Sequence, residues 1–452
     1  MKHDIIVIGA GASGMMAAYG AAKAFSDAGV SADVTILEKM PRPGRKIMIS
    51  GKGRCNITNV KNWNDFQSHI RSKAQFVKSS FYNFNSEAVL EFFEKNGVPV
   101  VVERGDRAFP QSYRASDIVD ALVRACLGYG VKLETEQEVK SLGRKGENYE
   151  ILTASGARHT ARAVIIATGG LSYPGTGSSG DGYAWAESFG HKIVPTFPSL
   201  TALVPRGYKQ TEERGHITRS TPLSEFGRAV CGIQLKNVGV QALVNELVAE
   251  DEFGDIDFTD GGIEGPIGFQ VSRKCVKSIV NGSRVALLID TKPGVELPAL
   301  SSRIKNLWDE ISKDTRSRNM RDRDKYKVLL GKLLPRDLIR GFTMCNSDIV
   351  QLEKRGRNES KVFVNLSLLS QRLKEWRFEI DGYVGYERAV VTAGGVDTDE
   401  IIAKTMESRI SKGLFFCGEL MDMDSDTGGY NLQTAFCTGM LAGQSAARSL
   451  MP

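Results

Sequence analysis

The sequence predicts an α/β fold in two interleaved parts. One is a doubly wound domain assembled from both ends of the chain, and the other is an inserted mostly-β domain that itself carries a helical insertion. Three observations lead there. The N-terminal run DIIVI is a β-branched strand that passes into a glycine-rich turn and an alanine-rich helix. From about 193 to 386, short β-like runs such as RVALLID and KVFVNLS alternate with turns, as in an antiparallel domain. From 387 to 452 the pattern returns to strand and helix. A chain of 452 residues also exceeds the roughly 250–300 residues at which a single core stops growing, so at least two domains are expected.

The first element is the most informative. Gly9-Ala-Gly11-Ala-Ser-Gly14 stands between the strand and the helix, the context in which a GxGxxG pattern has a physical meaning. Gly9 allows the tight turn, Gly11 lets a pyrophosphate approach the backbone, and Gly14 lets the helix pack on the strand. Ala12 and Ser13 open the helix, whose free N–H groups and partial positive charge suit phosphates. A second strand, ADVTILEK, ends in Glu38 and Lys39. Its carboxylate stands near the ~20-residue spacing at which an acidic group grips ribose hydroxyls, the extra length being absorbed by the loop SDAGVS. Glutamate rather than arginine argues for FAD or NAD(H) over NADP(H). The competing reading is a structural glycine turn with a chance glutamate.

Residues 44 to 58, GRKIMISGKGRCNIT, follow that strand. Gly44, Gly51 and Gly53 permit backbone contact with a flat ring or a phosphate. Arg45, Lys46 and Arg54 offset pyrophosphate charge, and Ser50, Asn56 and Thr58 offer hydrogen bonds to polar ring edges. A solvated basic loop is the alternative. Cys55 lies beside Arg54, whose charge favours a thiolate, but no CxxC partner exists for a disulfide relay, and a compact buried residue is the competing reading.

These residues carry a resemblance. GRKIMISGKGRCNITN, RAFPQSYRASDIVDAL, ATGGLSYPGTGSSGDGYAWAESFGH, VTAGGV and GLFFCGELMDMDSDTGGYNLQTAFCTGMLAG together resemble the bacterial NAD(P)/FAD-dependent oxidoreductases of the aminoacetone oxidase and BaiN type, the HI0933-like flavoproteins. The resemblance implies a glutathione-reductase-type FAD-binding Rossmann domain that is discontinuous in sequence, with FAD as cofactor. It implies that Val139 lies beside the adenine, that Ala167, Thr168 and Gly169 pass close to the cofactor, and that Gly418 and Glu419 belong to the same site. Asp181 is expected near the ribityl chain. Gly429, Tyr430, Asn431 and Leu432 open a long helix whose N-terminal N–H groups face the N1 and C2-carbonyl edge of the flavin.

The rest follows in order. The FAD domain is expected at 1–192 and 387–452, the β-rich substrate domain at 193–291 and 347–386, and the helical insertion at 292–346. Gly175-Thr-Gly177-Ser-Ser-Gly180 repeats the GxGxxG letters, but Leu-Ser-Tyr-Pro precedes it instead of a strand. A second dinucleotide site is therefore not expected there. GGIEGP, 261 to 266, only loosely resembles the glycine-rich turn of the family.

Composition excludes several function classes. No run reaches the ~18–20 apolar residues of a membrane span. The seven cysteines, at 55, 126, 231, 275, 345, 417 and 437, form no CxxC pair, so neither zinc nor a disulfide framework is expected and a cytoplasmic location is. The histidines at 3, 69, 159, 191 and 216 show no ligand spacing, and Asp422, Asp424 and Asp426 lack the glycine and distal glutamate of a calcium loop. The net charge of +6 is mild, and the interleaved signs of the helical insertion read as a solvated face, so nucleic acid is not the expected partner. The expected activity is hydride transfer between a small organic substrate and flavin, with NAD(P)H or oxygen as the other redox partner. The alternatives are a flavoprotein acting on tRNA through residues 303 to 340, and a flavin-carrying sensor without turnover. No catalytic acid or base, substrate or oligomeric state is legible.

Overall fold

The structure is a computed structural model that describes residues 1–317, 319–355 and 359–451. The chain divides into two compact units, one formed by Met1–Ser199 with Ala389–Pro452, the other by Leu200–Arg388.

Five parallel strands centre the first unit: β1 (Lys2–Ile8), β2 (Val34–Leu37), β3 (Lys132–Glu134), β4 (Arg158–Ile166) and β5 (Leu414–Phe416), hydrogen-bonded in the order β5–β4–β1–β2–β3. Their residues are β-branched and aromatic because a parallel sheet is covered on both faces. Ile5, Ile6, Val7, Ile165, Ile166, Phe415 and Phe416 are completely buried. Phe416 pairs in register with Ile166, which pairs with Ile8. The two ends of the chain thus share one sheet.

Four helices matter here: α1 (Ala12–Asp27), α2 (Arg45–Ile49), α3 (Asp181–Ser188) and, near the C-terminus, Tyr430–Leu450, which is α7 in chain order. α1 and α7 meet almost backbone to backbone. A Cβ on Gly443 would overlap the carbonyl oxygen of Ala17, one on Gly439 that of Ser13, and one on Gly20 would come within 2.9 Å of the Met440 carbonyl. Small residues in both helices are therefore a packing requirement.

In the second unit, six antiparallel strands close on themselves. Leu203–Pro205, Ile263–Glu264, Leu247–Phe258, Gln234–Val244, Val285–Asp290 and Trp376–Val384 pair in turn, and the last pairs back to the first. Trp376–Val384 shows the period-2 burial such a sheet needs, with Trp376, Phe378, Ile380 and Val384 inside. Within the same unit, α4 (Leu297–Lys313), α5 (Asp322–Leu333) and α6 (Leu338–Cys345) bury Leu300, Ile304, Leu329, Leu330 and Phe342 and turn their charged residues outward. Among the described residues no helix is long and apolar enough to cross a membrane.

Two of the histidines without ligand spacing are buried in the first unit. His159 Nδ1 lies 3.1 Å from His3 Nε2, and His191 Nε2 lies 2.7 Å from Ser408 Oγ. Burial lowers the pKa of both below the ordinary 6.5, with the neighbouring His3 adding to the effect at His159. The unfolded chain then binds protons that the folded chain refuses, so their stabilisation is complete above pH ~6.5 and is lost as the pH falls. Denaturant midpoints measured at pH 7.5 and 5.5 should fall on acidification, and His159→Gln should reduce that fall. An unchanged fall in the variant would contradict the assignment.

Candidate functional site

A cleft of about 1370 Å³, taken to its open mouth, runs past the carboxyl ends of β1, β2 and β4, where open parallel sheets bind ligands.

The first turn explains its glycines one at a time. Gly9 has φ +102°, and a Cβ there would lie 2.7 Å from the carbonyl oxygen of Ala167. A Cβ on Gly14 would overlap the Gly9 carbonyl. Gly11 differs, because it lines the cleft and a Cβ on it would meet nothing within 4 Å. The protein therefore leaves space there that its own packing does not use.

Glu38 ends β2 and is bound by the backbone: Ala10 N–H donates to Oε2 at 2.6 Å and Met40 N–H to Oε1 at 2.8 Å. Next to it, Lys39 Nζ donates to Asp181 Oδ2 at 2.6 Å and to Ser179 Oγ. This places Asp181, the first residue of α3, beside the Glu38 end of the cleft. Further along, Lys46 Nζ on α2 donates to Glu419 Oε2 at 2.6 Å and to Ser172 Oγ. Glu419 Oε1 accepts from the Thr392 N–H at 2.9 Å and from Ser172 Oγ. Residues 46, 172, 392 and 419 are thereby fastened into one polar network.

At the start of α7, Gly428 and Gly429 have φ of 112° and 98°. Asn431 turns its side chain back onto the preceding loop, accepting from Ser425 N–H at 2.9 Å and donating to the Ser425 and Asp426 carbonyls. The cleft wall at Asn431 and Leu432 therefore includes N–H groups of a helix's first turn, which have no intrahelical acceptor. The hydroxyls of Thr168 and Thr434 are buried without a hydrogen-bond partner among the described residues, and both residues line the cleft. Orphaned polar atoms on a cavity wall are what a polar ligand would satisfy.

Of the residues expected from sequence, Gly9, Gly11, Ala12, Ser13, Glu38, Lys39, Arg45, Lys46, Ser50, Val139, Ala167, Thr168, Gly169, Asp181, Gly418, Glu419, Asn431 and Leu432 line the cleft. Gly14, Gly51, Gly53, Arg54, Cys55, Asn56, Gly429 and Tyr430 are not on its wall. Gly14 packs beneath the turn, and Gly429 sits against the Thr58 backbone. Past Ser50 the chain turns away, with Gly51, Lys52, Gly53 and Cys55 all at positive φ. Arg54 consequently stacks over Phe109, 4.8 Å from the ring centroid, rather than facing an anion in the cleft. Burial pushes the Cys55 thiol up to about 12, the opposite of an activated thiolate. Tyr430 stacks on His69, with ring centroids 4.2 Å apart.

Sequence reasoning missed Arg42, Gln137, Thr176, Gly177, Ser178, Trp185, Val390, Val391 and Met423, which also line the cleft. Arg42 stands two residues before the glycine-rich stretch, a signal available in the sequence. The GTGSSG loop, where a second dinucleotide site is not expected, contributes Thr176, Gly177 and Ser178 to the lining of the same cleft. The rest are brought there by tertiary packing alone.

The comparisons with known proteins agree with this fold. The model of the family described as HI0933-like protein Rossmann domain matches residues 3–445. The chain is 30% identical over 98% of its length to a 3-dehydro-bile acid Δ(4,6)-reductase of Clostridium scindens, covering 99% of that protein. It is also 30% identical to ribosomal RNA dihydrouridine synthases of Haemophilus influenzae and Escherichia coli, covering 98% and 99% of each. Among solved structures, the 3-ketosteroid Δ1-dehydrogenase of Sterolibacterium denitrificans superposes with a TM-score of 0.51 at 12% identity, covering 99% of this chain and 100% of that one. That likeness concerns the fold, which is the fold of FAD-binding oxidoreductases. Matched nearly end to end by the family model and by these relatives, the chain belongs to the HI0933-like family.

Proposed function

We propose that this protein is an FAD-dependent reductase of a carbon–carbon double bond conjugated to a carbonyl, with NAD(P)H as the diffusible reductant. The observation that carries the FAD half is the unfilled space at Gly11, in a cleft bounded by the N-termini of two helices. FAD fits the donors present. Gly11, Ala12 and Ser13 would take the pyrophosphate and Glu38 the ribose hydroxyls, while Gln137 and Val139 would face the adenine. Asp181, paired to Lys39, is assigned to the adenosine end instead of the ribityl chain. The Lys46–Glu419 pair and the N–H groups of Asn431 and Leu432 would meet the flavin end. The helix N-terminus there favours negative charge, making a flavin easier to reduce.

When bound, reduced FAD supplies a hydride for the β-carbon of the conjugated system, a proton going to the α-carbon, and NAD(P)H restores the two electrons. The substrate half rests on what the relatives' names have in common. A 3-oxo steroid with Δ4,6 unsaturation and the C5=C6 bond of uracil beside its C4 carbonyl are both conjugated enones. The free thiols at all seven cysteines accord with a reducing, cytoplasmic setting.

Anaerobic titration of the yellow protein with NADH and NADPH, followed by a panel of acceptors, tests this reading. Bleaching, then recovery of colour with a 3-oxo-4-ene steroid or a uridine-containing RNA but not with an isolated alkene, is expected. A bleached protein reoxidised by oxygen alone would contradict the reductase assignment, and one that no nicotinamide bleaches would leave a carrier without turnover.

A further inference from the structure

We infer that the open surface beside the flavin end of the cleft, built on the strands Val100–Glu103 and Arg107–Pro110, holds the adenosine 2′-phosphate and pyrophosphate of NADPH, which makes NADPH rather than NADH the reductant. The inference rests on the reductase reading above and deepens it. Surface and cleft both belong to the first unit.

A diffusible reductant needs a site that stays open to solvent. The GTGSSG loop offers it no nucleotide turn of its own, since Thr176, Gly177 and Ser178 line the cleft assigned to FAD. Ser50 marks where a second site begins. It lines that cleft four residues past Lys46, and at Gly51 the chain leaves the wall and packs on Phe109, 3.9 Å from where a Gly51 Cβ would stand. Phe109 and Arg107 are two apart on one strand and so share a face, and Arg107 stands opposite Glu103 on the neighbouring strand. Arg54 lies over that face, 4.8 Å from the Phe109 ring centroid and 5.8 Å from that of Tyr113. Tyr113 is held at φ +54° with 41% of its surface exposed, and its hydroxyl donates to Glu103 Oε1 at 2.9 Å. A flat guanidinium and a flat phenol ring therefore stand side by side at the surface, an arrangement on which an adenine stacks.

The charge at this surface is one-sided. Residues 42–61 include six basic residues and no acidic one. Lys46 is paired to Glu419 and Lys61 to Asp106. Lys52 is exposed and Arg107 half-buried, neither with a carboxylate partner among the described residues, while Arg54 has a 3.9 Å contact with Glu103 Oε1 alone. Glu103 Oε2 is left to accept from ribose hydroxyls. Of the other carboxylates nearby, Asp106 is held by Lys61 and Asp117 by Ser112 and Ser116. Three cations around one loosely held carboxylate suit a ligand with more negative charge than a bare pyrophosphate, and the 2′-phosphate that NADH lacks adds about −1.5 to −2. With the phosphates held here, hydride leaves the nicotinamide with both electrons for FAD, and NADP⁺ dissociates. A 3′-phosphoadenosine ligand shares this chemistry, and the test separates the two.

The probe is 2′,5′-ADP, which binds without reacting, titrated calorimetrically into the full-length, flavin-loaded protein beside 3′,5′-ADP and 5′-AMP. Wild type should bind 2′,5′-ADP at least ~10-fold more tightly than either, with an affinity that falls as salt is raised. In the combined variant Lys52→Gln, Arg54→Met and Arg107→Gln, 2′,5′-ADP should bind ~30-fold more weakly. The NADPH concentration for half-maximal anaerobic bleaching should rise by the same factor, with the FAD content unchanged. Tyr113→Asn, which keeps a residue tolerant of positive φ and removes the ring, should weaken 5′-AMP and 2′,5′-ADP alike. The inference is overturned if wild type binds none of the three probes, if 3′,5′-ADP binds more tightly than 2′,5′-ADP, or if NADH bleaches the protein at as low a concentration as NADPH. Unaltered half-saturation by NADPH in the combined variant removes this site and leaves the reductase reading standing. Binding of 2′,5′-ADP that the variant loses, in a protein that no nicotinamide bleaches, removes that reading and leaves the binding site.

Discussion

Gly11→Val is expected to give a folded, colourless protein. Its backbone φ is −80°, in the region any residue adopts, and a Cβ there meets nothing within 4 Å. Apo stability should therefore match that of flavin-stripped wild type. The isopropyl group would, however, fill the space reserved for the pyrophosphate, and FAD affinity should fall on the order of 100-fold or more, roughly 2.7 kcal/mol. Thermal melts with and without added FAD separate the two effects: wild type should be stabilised by saturating ligand, the variant not. Gly14→Val supplies the contrast, because its Cβ would overlap the Gly9 carbonyl and the fold itself should fail. Retention of stoichiometric FAD by the Gly11 variant would place the cofactor elsewhere.

Gly443→Val should destabilise the first unit by about 3 kcal/mol or more, since the overlap is with the Ala17 carbonyl of α1 and not with a movable side chain. Even Gly443→Ala should be measurably harmful. Gly128→Ala, at the end of the helix Ala115–Gly128 with nothing within 4 Å of the added carbon, should be neutral or slightly stabilising. Urea denaturation of the three variants is sufficient to rank them. Equal stability of Gly443→Ala and Gly128→Ala would show that α1 and α7 are not in backbone contact.

Much of the fold was legible because its signals are local. The strand–glycine–helix unit at 5–27 and the acidic end of β2 are contained in one short stretch, and each glycine has one physical reason to be there. The C-terminal strand GLFFCGE was legible as buried, and its register beside β4 puts Gly418 and Glu419 where the turn after β1 needs a neighbour. The limits are equally local in cause. Arg54 looked like a phosphate ligand because it is one of the basic residues in the glycine-rich stretch that follows β2. The left-handed backbone at Lys52 and Cys55, which nothing in their identity announces, sends it to the Phe109 ring. Tyr430 and Asn431 are adjacent, yet the helical turn sends one to His69 and leaves the other on the cleft. Met423, Trp185 and Gln137 carry no motif and reach the wall only through packing.

The measurement closest to the heart of the matter is a calorimetric titration of the flavin-stripped protein with FAD and, separately, with FMN. A cleft that begins at Gly11 and Glu38 and ends at α7 should take up one FAD per chain and bind FMN, which lacks the adenosine half, at least ~100-fold more weakly. Equal affinity for the two flavins, or no heat with either, would contradict a dinucleotide held between both ends of this chain.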